Sequence, residues 1–73
     1  TLSLHDALPI LFIHGGADDF VPSRALDENF DACASIDRQK LLIPSAGHSM
    51  SASTAPVVYW KTVTNFVTRV FGL

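Results

Sequence analysis

The sequence specifies a small, slightly acidic chain. Its 73 residues, 48% of them hydrophobic, can build one small core, because a domain of this size buries only about 60% of its unfolded surface. Five Lys and Arg residues oppose seven Asp and Glu residues, for a net charge of -2, and the basic residues are scattered, which argues against a nucleic acid partner. No apolar run approaches the roughly 20 residues that span a bilayer, so no membrane contact is evident in this segment.

The start of the chain and its single cysteine bear on its origin and compartment. Residues 1–8 show neither clear alternation nor a helical stripe, so we leave them unassigned and treat their native origin as open. The chain begins at Thr1 with no secretion signal before the first apolar run, and we expect it to be a fragment of a longer protein. The lone Cys33 rules out an internal disulfide and a Cys-based metal cluster. It mildly favours a reducing, cytoplasmic compartment, while an N-terminal membrane anchor on the full-length protein stays open.

The first predicted strand is the apolar run Ile10–Ile13, which follows Pro9. It stops at Gly15 and Gly16. Short continuous apolar runs of this kind are typical of strands that are buried on both faces of a parallel sheet.

A helix is predicted from Pro22 to Ala34. Four apolar residues recur there at helical spacing, with acidic residues on the other faces: Leu26, Phe30, Cys33 and Ala34. Either Ser23 caps this helix or Pro22 begins it. Because Cys33 falls on the apolar face, we expect it in the core rather than as a nucleophile.

A second strand and a last helix complete the predicted elements. Residues 35–39 form a polar connection, and Lys40–Ile43 form a short strand that a proline ends. The last helix starts near Thr54–Pro56, because Pro suits a first helical turn. Its apolar stripe consists of Tyr59, Val63, Phe66, Val67 and Val70. We expect Tyr59 and Trp60 to pack this helix on the sheet.

This order of elements predicts an α/β fold. A short strand, a helix and a second short strand favour parallel pairing through a right-handed crossover, and the final helix can cover the sheet. Two parallel strands alone leave faces and edges uncovered, so we expect further strands upstream.

Polar side chains follow both predicted strands. Asp18 lies in the loop His14–Pro22 after the first strand, and His48 lies in the loop Pro44–Met50 after the second. Neighbouring strands are about 4.8 Å apart, so a carboxylate beyond one strand can reach an imidazole beyond the other. A carboxylate that accepts one imidazole proton leaves the other nitrogen to act as a base.

The two loops resemble the C-terminal part of the α/β-hydrolase family. The segment Pro9–Pro22 matches that family's pattern of an apolar strand, His-Gly, two variable residues, the acid, two more residues and Val-Pro. The segment Ser45–His48 matches its small-Gly-His turn before a closing helix. The likeness covers residues 9–73, which we interpret as the C-terminal fragment of one hydrolase domain, with residues 1–8 as an unassigned leader.

The resemblance implies both a fold and an activity. The fold is the C-terminal β-α-β-α part of a parallel-sheet α/β-hydrolase fold, which is incomplete here. Asp18 is similar to the triad acid and His48 to the triad base of an esterase or peptidase. Such an enzyme cleaves ester, thioester or peptide bonds and needs no cofactor. The Gly-x-Ser-x-Gly elbow and the oxyanion-hole loop are missing, so we expect this segment alone to be inactive.

Four residues next to the pair have weaker assignments. Asp19 keeps a turn-capping role, because the spacing before Val-Pro favours Asp18 as the acid. For His14, at a strand end, we expect a structural hydrogen bond that holds the loop. Phe20 and Met50 flank the two loops and are weak candidates for substrate binding, with covering of the core as the alternative.

The small residues of the loops are assigned backbone roles. Gly15, Gly16 and Gly47 are expected to supply tight or positive-φ backbone, because no phosphate-binding fingerprint follows them. The serines near His48 lie outside any elbow sequence, and we expect loop or capping roles for them: Ser45, Ser49, Ser51 and Ser53.

Two other functions stay open. A non-catalytic, flavodoxin-like binding or signalling module would use Asp18 or Asp19 as its strand-end acid, although a histidine follows the second strand where a phosphoacceptor domain has a lysine. Metal-assisted hydrolysis would use His14, Asp18 and His48 as ligands.

Overall fold

The computed structural model describes residues 8–73. The unassigned residues 1–8 therefore lie, apart from Leu8, outside the described part of the chain. The elements in chain order are β1 Ile10–Gly15, α1 Arg24–Ala32, β2 Arg38–Ile43, α2 Ser51–Thr54 and α3 Pro56–Phe71. The short helix α2 has no counterpart in the sequence-based prediction.

The two strands form a parallel pair, as the order of elements predicts. Ile10 lies opposite Arg38 and Gly15 lies opposite Ile43. Each strand is two residues longer than predicted, because β1 continues through His14 and Gly15 and β2 begins at Arg38. This architecture is α/β, with a small two-stranded parallel sheet and helices.

Helix α1 is shorter than predicted at both ends. Ser23 occupies the N-cap position, but its side chain makes no capping hydrogen bond. The Pro22 carbonyl instead accepts a hydrogen bond from the Ala25 amide at 2.9 Å, so a tight turn precedes the helix. At the other end Cys33 is extended, with ψ 132°, which leaves Ala34 beyond the helix and exposed.

The apolar face of α1 packs on the sheet side that carries Phe12. Leu26 is buried, and the rings of Phe12 and Phe30 meet edge to face with centroids 6.3 Å apart. From β2 the Arg38 guanidinium and the Lys40 ammonium each lie 4.7 Å from the Phe30 ring centroid. The predicted core position of Cys33 is half-buried at the helix end.

Helix α3 turns one face inward. Tyr59, Val63, Phe66 and Val70 are half-buried, in agreement with the predicted stripe. Val67 is exposed, and so is Trp60 at 57%, so the expectation that Trp60 packs on the sheet is wrong. Successive residues of a helix lie about 100° apart around its axis, so Tyr59 and Trp60 point in different directions, and Tyr59 is the one that faces inward.

The C-terminal turn of α3 is tied to the start of β2. Nη1 and Nη2 of the Arg69 guanidinium each donate to the carboxylate of Asp37 at 2.9 Å, and Nη2 also reaches the side-chain oxygen of Gln39 at 3.3 Å. This pairing lowers the pKa of Asp37. Gly72 then ends the helix with φ 71°, a left-handed conformation that glycine adopts without steric cost.

Strand β1 is less buried than its composition predicts. Its central residues, 11–14, are half-buried, and Ile10 is exposed. Within residues 8–73 the sheet consists of β1 and β2 only, so the expectation of burial on both faces is wrong for this part of the chain. None of the helices formed by these residues combines the length and the hydrophobicity of a bilayer-crossing segment.

Candidate active site

The loops that follow β1 and β2 are docked against each other through their backbones. The Gly16 amide donates to the Ile43 carbonyl at 2.7 Å, and the Ala17 amide donates to the Ala46 carbonyl at 3.0 Å. Ala46 is fully buried at this contact. The loop that carries Asp18 is thereby held in register with the loop that carries His48.

Close approach of the two loops explains two of the three glycines. A Cβ atom on Gly15 would overlap the Ala46 carbonyl oxygen, and one on Gly16 would lie 2.8 Å from backbone atoms of Pro44. Neither glycine has a positive φ. The prediction of tight backbone is therefore confirmed for Gly15 and Gly16, and the alternative of positive-φ backbone is not. A Cβ on Gly47 would meet only the Met50 side chain at 4.0 Å, so the structure gives no reason for glycine there.

The two oxygens of the Asp18 carboxylate contact different groups. Oδ1 accepts hydrogen bonds from the Phe20 and Val21 amides, each at 2.8 Å, as in an Asx turn. Oδ2 faces Nδ1 of His48 at 2.9 Å. The side chain is only 5% exposed. A turn-capping aspartate and an imidazole-orienting aspartate are therefore the same residue.

The contacts of Asp18 also set its ionisation. Burial disfavours the charged form, but hydrogen bonds from the Val21 amide, from His48 and from the Phe20 amide outweigh it and lower the pKa of Asp18 below its usual value. The group is therefore a carboxylate at neutral pH. Asp19, one residue on, is exposed and lies outside the pair.

His48 is held at one ring nitrogen and open at the other. Because an ionised carboxylate only accepts, Nδ1 of His48 carries the proton of the 2.9 Å hydrogen bond. The neutral ring then has its lone pair on Nε2, which no group within residues 8–73 hydrogen-bonds. With the side chain 48% exposed, this nitrogen is available to an incoming hydroxyl.

His14 lies at the end of β1, next to the same carboxylate. Its Nε2 is 2.9 Å from the Val21 carbonyl oxygen and 3.6 Å from Oδ2 of Asp18. The predicted hydrogen bond that holds the loop is thus present.

A cavity of about 300 Å³ opens beside the pair. Its walls include Asp18, His48, His14, Ser49, Ser51 and Tyr59. Tyr59 is not among the predicted site residues, because an aromatic residue at helical spacing indicates a core position. The short helix α2, which brings Ser51 to the cavity, is not predicted either.

The serines of the His48 loop do not cap a helix. The N-cap position of α2 is Met50, which makes no side-chain capping bond, and the Ser53 hydroxyl donates back to the Met50 carbonyl at 3.2 Å. Ser49 has φ 59°, an uncommon conformation for a residue with a side chain, and Ser45 is exposed. Ser45 and Ser49 lie in the loop, as predicted, whereas Ser51 and Ser53 lie within α2, so the prediction that they cap a helix is wrong.

The two candidates for substrate binding are both exposed. Phe20 is 82% exposed, yet its ring centroid lies 5.3 Å from that of His48 at an angle of 57°. Met50 follows His48 by two residues and is also exposed. Phe20 therefore flanks the open imidazole rather than covering the core.

The metal-site alternative finds no ligand set among residues 8–73. No group of three or more His, Cys, Asp or Glu side chains is arranged there to hold a metal ion. His14 and His48 direct their nitrogens at Val21 and Asp18 instead.

Comparisons with known proteins do not add to this geometry. Neither a protein-family model, a curated protein nor a solved structure matches the chain. Beyond the ends of the two parallel strands, an ionised carboxylate that is 5% exposed orients an exposed imidazole.

Proposed function

We propose that this chain is the C-terminal part of an α/β-hydrolase-fold serine hydrolase and supplies the acid and the base of its catalytic triad. Asp18 is the acid, His48 is the base, and the serine belongs to an upstream part of the full-length protein. The observation that carries the proposal is the 2.9 Å contact between Oδ2 of Asp18 and Nδ1 of His48. The substrate class is a small ester, thioester or peptide.

In the first half of the proposed reaction, Nε2 of His48 takes the proton of the serine hydroxyl while the serine oxygen attacks the carbonyl carbon. The imidazolium that forms stays paired with the Asp18 carboxylate. It then gives the proton to the leaving oxygen, sulfur or nitrogen as the bond to the acyl carbon breaks. In the second half His48 takes a proton from water, the resulting hydroxide attacks the acyl-enzyme, and the serine regains its proton.

Two further observations support this assignment. The lowered pKa of Asp18 keeps the carboxylate ionised at neutral pH, so it can stabilise the imidazolium. Both loops follow the carboxyl ends of parallel strands, the edge at which open α/β sheets gather catalytic groups. Neither the signalling module nor the metal-assisted hydrolase has a comparable contact in its favour.

The test is made in the full-length protein with a chromogenic acyl ester such as p-nitrophenyl acetate. We expect His48→Ala to lower kcat by at least about three orders of magnitude, because it removes the base. We expect Asp18→Asn to lower kcat by about four orders, because it removes the carboxylate that orients the base. Asp19→Asn is the matched control, since Asp19 is a neighbouring exposed carboxylate outside the pair, and it should retain activity. Near-normal turnover by His48→Ala would refute the proposal.

The 73-residue chain provides a second test. It should give no turnover that a serine-directed fluorophosphonate abolishes, because no serine hydroxyl within residues 8–73 hydrogen-bonds His48. Fluorophosphonate-sensitive hydrolysis by this chain alone contradicts the assignment of the nucleophile to an upstream segment.

A further inference from the structure

We infer that His14 is a positioning residue for the Asp18–His48 pair, a role that rests on the proposed function of that pair. The sequence indicates only that His14 holds its own loop. The contacts of the described residues assign it more, because its imidazole and that of His48 both lie beside Oδ2 of Asp18.

Val21 connects His14 to the Asp18 carboxylate. Its amide donates to Oδ1 of Asp18 at 2.8 Å, and its carbonyl oxygen lies 2.9 Å from Nε2 of His14. Both polar backbone groups of this residue are thus occupied, one by the acid and one by His14. Because His14 belongs to the paired strand β1, it anchors the turn that orients the Asp18 carboxylate to a regular element.

The contact with Val21 fixes the tautomer of His14. A carbonyl oxygen can only accept, so Nε2 of His14 carries a proton. The same N–H edge is 3.6 Å from Oδ2 of Asp18, the oxygen that faces His48. The site therefore needs opposite tautomers in its two histidines, Nε2–H in His14 and Nδ1–H in His48.

The contacts of Asp18 determine which nitrogen of His48 carries the lone pair. With Oδ1 held by two amides, Oδ2 is left to His48 Nδ1–H, and this arrangement keeps the lone pair on His48 Nε2. Without the hydrogen bond from His14, the turn at Val21 is free to move and the Asp18 carboxylate can rotate. His48 then no longer has a fixed tautomer. The side chain of His14 is only 14% exposed, so water replaces its hydrogen bond poorly.

The test reads tautomers directly by long-range ¹H–¹⁵N correlation NMR of the 73-residue chain at a pH where both rings are neutral. In the wild-type chain His14 should be Nε2–H and His48 Nδ1–H. His14 in the Nδ1–H form, or exchanging between forms, overturns the proposal without any substitution.

Three substitutions separate positioning from simple packing. His14→Gln places an amide N–H at about the reach of Nε2 and should keep His48 as Nδ1–H. His14→Asn is the matched control, since it keeps the amide but is one methylene shorter, and His14→Leu removes the donor. In both of these the His48 tautomer should become mixed. If either variant folds, by its backbone amide spectrum, and retains His48 as Nδ1–H, the proposal is overturned.

Kinetics of the full-length protein provide an independent readout. His14→Leu should lower kcat roughly ten- to a hundredfold with little change in KM, as is usual for residues that orient a catalytic group, and His14→Gln should restore most of it. If His48→Ala proves to be active, the proposed hydrolase function fails, whereas the tautomer experiment still decides the role of His14. If His48→Ala is inactive but the tautomers do not respond to His14→Asn and His14→Leu, only the present inference fails.

Discussion

At the scale of single residues, the Asp18 carboxylate makes two kinds of contact. One carboxylate oxygen closes the turn that carries the residue, through the Phe20 and Val21 amides, and the other orients His48. A glycine-rich loop makes the turn role the expected one for an aspartate, and the spacing to Val-Pro favours a triad acid. The turn contact and the contact with His48 coexist, because the two oxygens point to different partners.

The pKa of Asp18 leads to a prediction about acid stability. Its pKa in the folded chain lies below the unfolded value near 3.8, so ionised Asp18 stabilises the fold above that pH, and this contribution is lost as the pH falls through the lower, folded pKa. The difference in Tm between pH 6 and pH 2, measured by circular dichroism, should therefore be smaller for Asp18→Asn than for the wild-type chain.

The control for this experiment is Asp19→Asn, which removes an exposed carboxylate next to the turn. It should leave the acid-induced fall in Tm close to that of the wild type. Asp37 also has a lowered pKa, through its pairing with Arg69, so a residual fall in Tm is expected in both variants. An equal fall in Asp18→Asn and the wild type contradicts the assigned hydrogen bonds.

At the scale of elements, the site depends on how closely the loops after β1 and β2 approach. Gly15, the last residue of β1, lies against the Ala46 carbonyl, and the buried Ala46 lies two residues before His48. The backbone contact at Ala17 and Ala46 fixes the same junction. Asp18 and His48 meet because these two loops share one short interface.

This interface predicts unequal effects for two alanine substitutions. Gly15→Ala places a Cβ into the Ala46 carbonyl and should lower the free energy of unfolding by about 1–3 kcal/mol, as overpacking of a tight site does. Gly47→Ala meets only the Met50 side chain at an ordinary distance and should change it by less than about 1 kcal/mol. Urea denaturation monitored by Trp60 fluorescence measures both.

Gly15→Ala should also displace the loop that carries His48, and the His48 ring resonances should shift, while Gly47→Ala serves as the matched control within that loop. Equal stability of the two variants contradicts the close approach at Gly15.

The helices show where local pattern stops being informative. The stripe of α3 correctly predicts that Tyr59, Val63, Phe66 and Val70 turn inward. It does not separate Val67 or Trp60 from them, because hydrophobicity alone does not fix the rotation of a helix about its axis. In α1 the cap assigned to Ser23 is replaced by a turn at Pro22.

At the scale of the whole molecule, residues 8–73 leave a second apolar stripe of α3 exposed. Its members recur at intervals of three, seven and four residues: Val57, Trp60, Val67 and Phe71. The half-buried stripe of α3 faces another direction, so helix α3 presents apolar surface on two sides. Contiguous exposed apolar surface on a small chain promotes association.

We therefore expect the 73-residue chain to self-associate. Sedimentation velocity should show a mean mass that rises with concentration, and the double substitution Val57→Lys with Phe71→Lys should lower it, because it places charge in the exposed stripe. Asn65→Lys alone, a change at a polar exposed position away from the stripe, is the comparison variant. A monomer at all concentrations, with no binding of the dye ANS, contradicts this prediction.

The amino-acid sequence by itself determined the positions of β1, β2 and α3 and the α/β order, because continuous apolar runs, prolines and helical stripes are local signals. It also singled out Asp18 and His48 as partners, since loops after neighbouring parallel strands meet at one edge. Only the tertiary structure decided which oxygen of Asp18 serves His48, that His14 shares the carboxylate through Val21, and that Tyr59 lines the cavity. The contact between Asp18 and His48 joins residues 30 positions apart, and contacts of this kind depend on strand register and helix rotation, which no local pattern specifies.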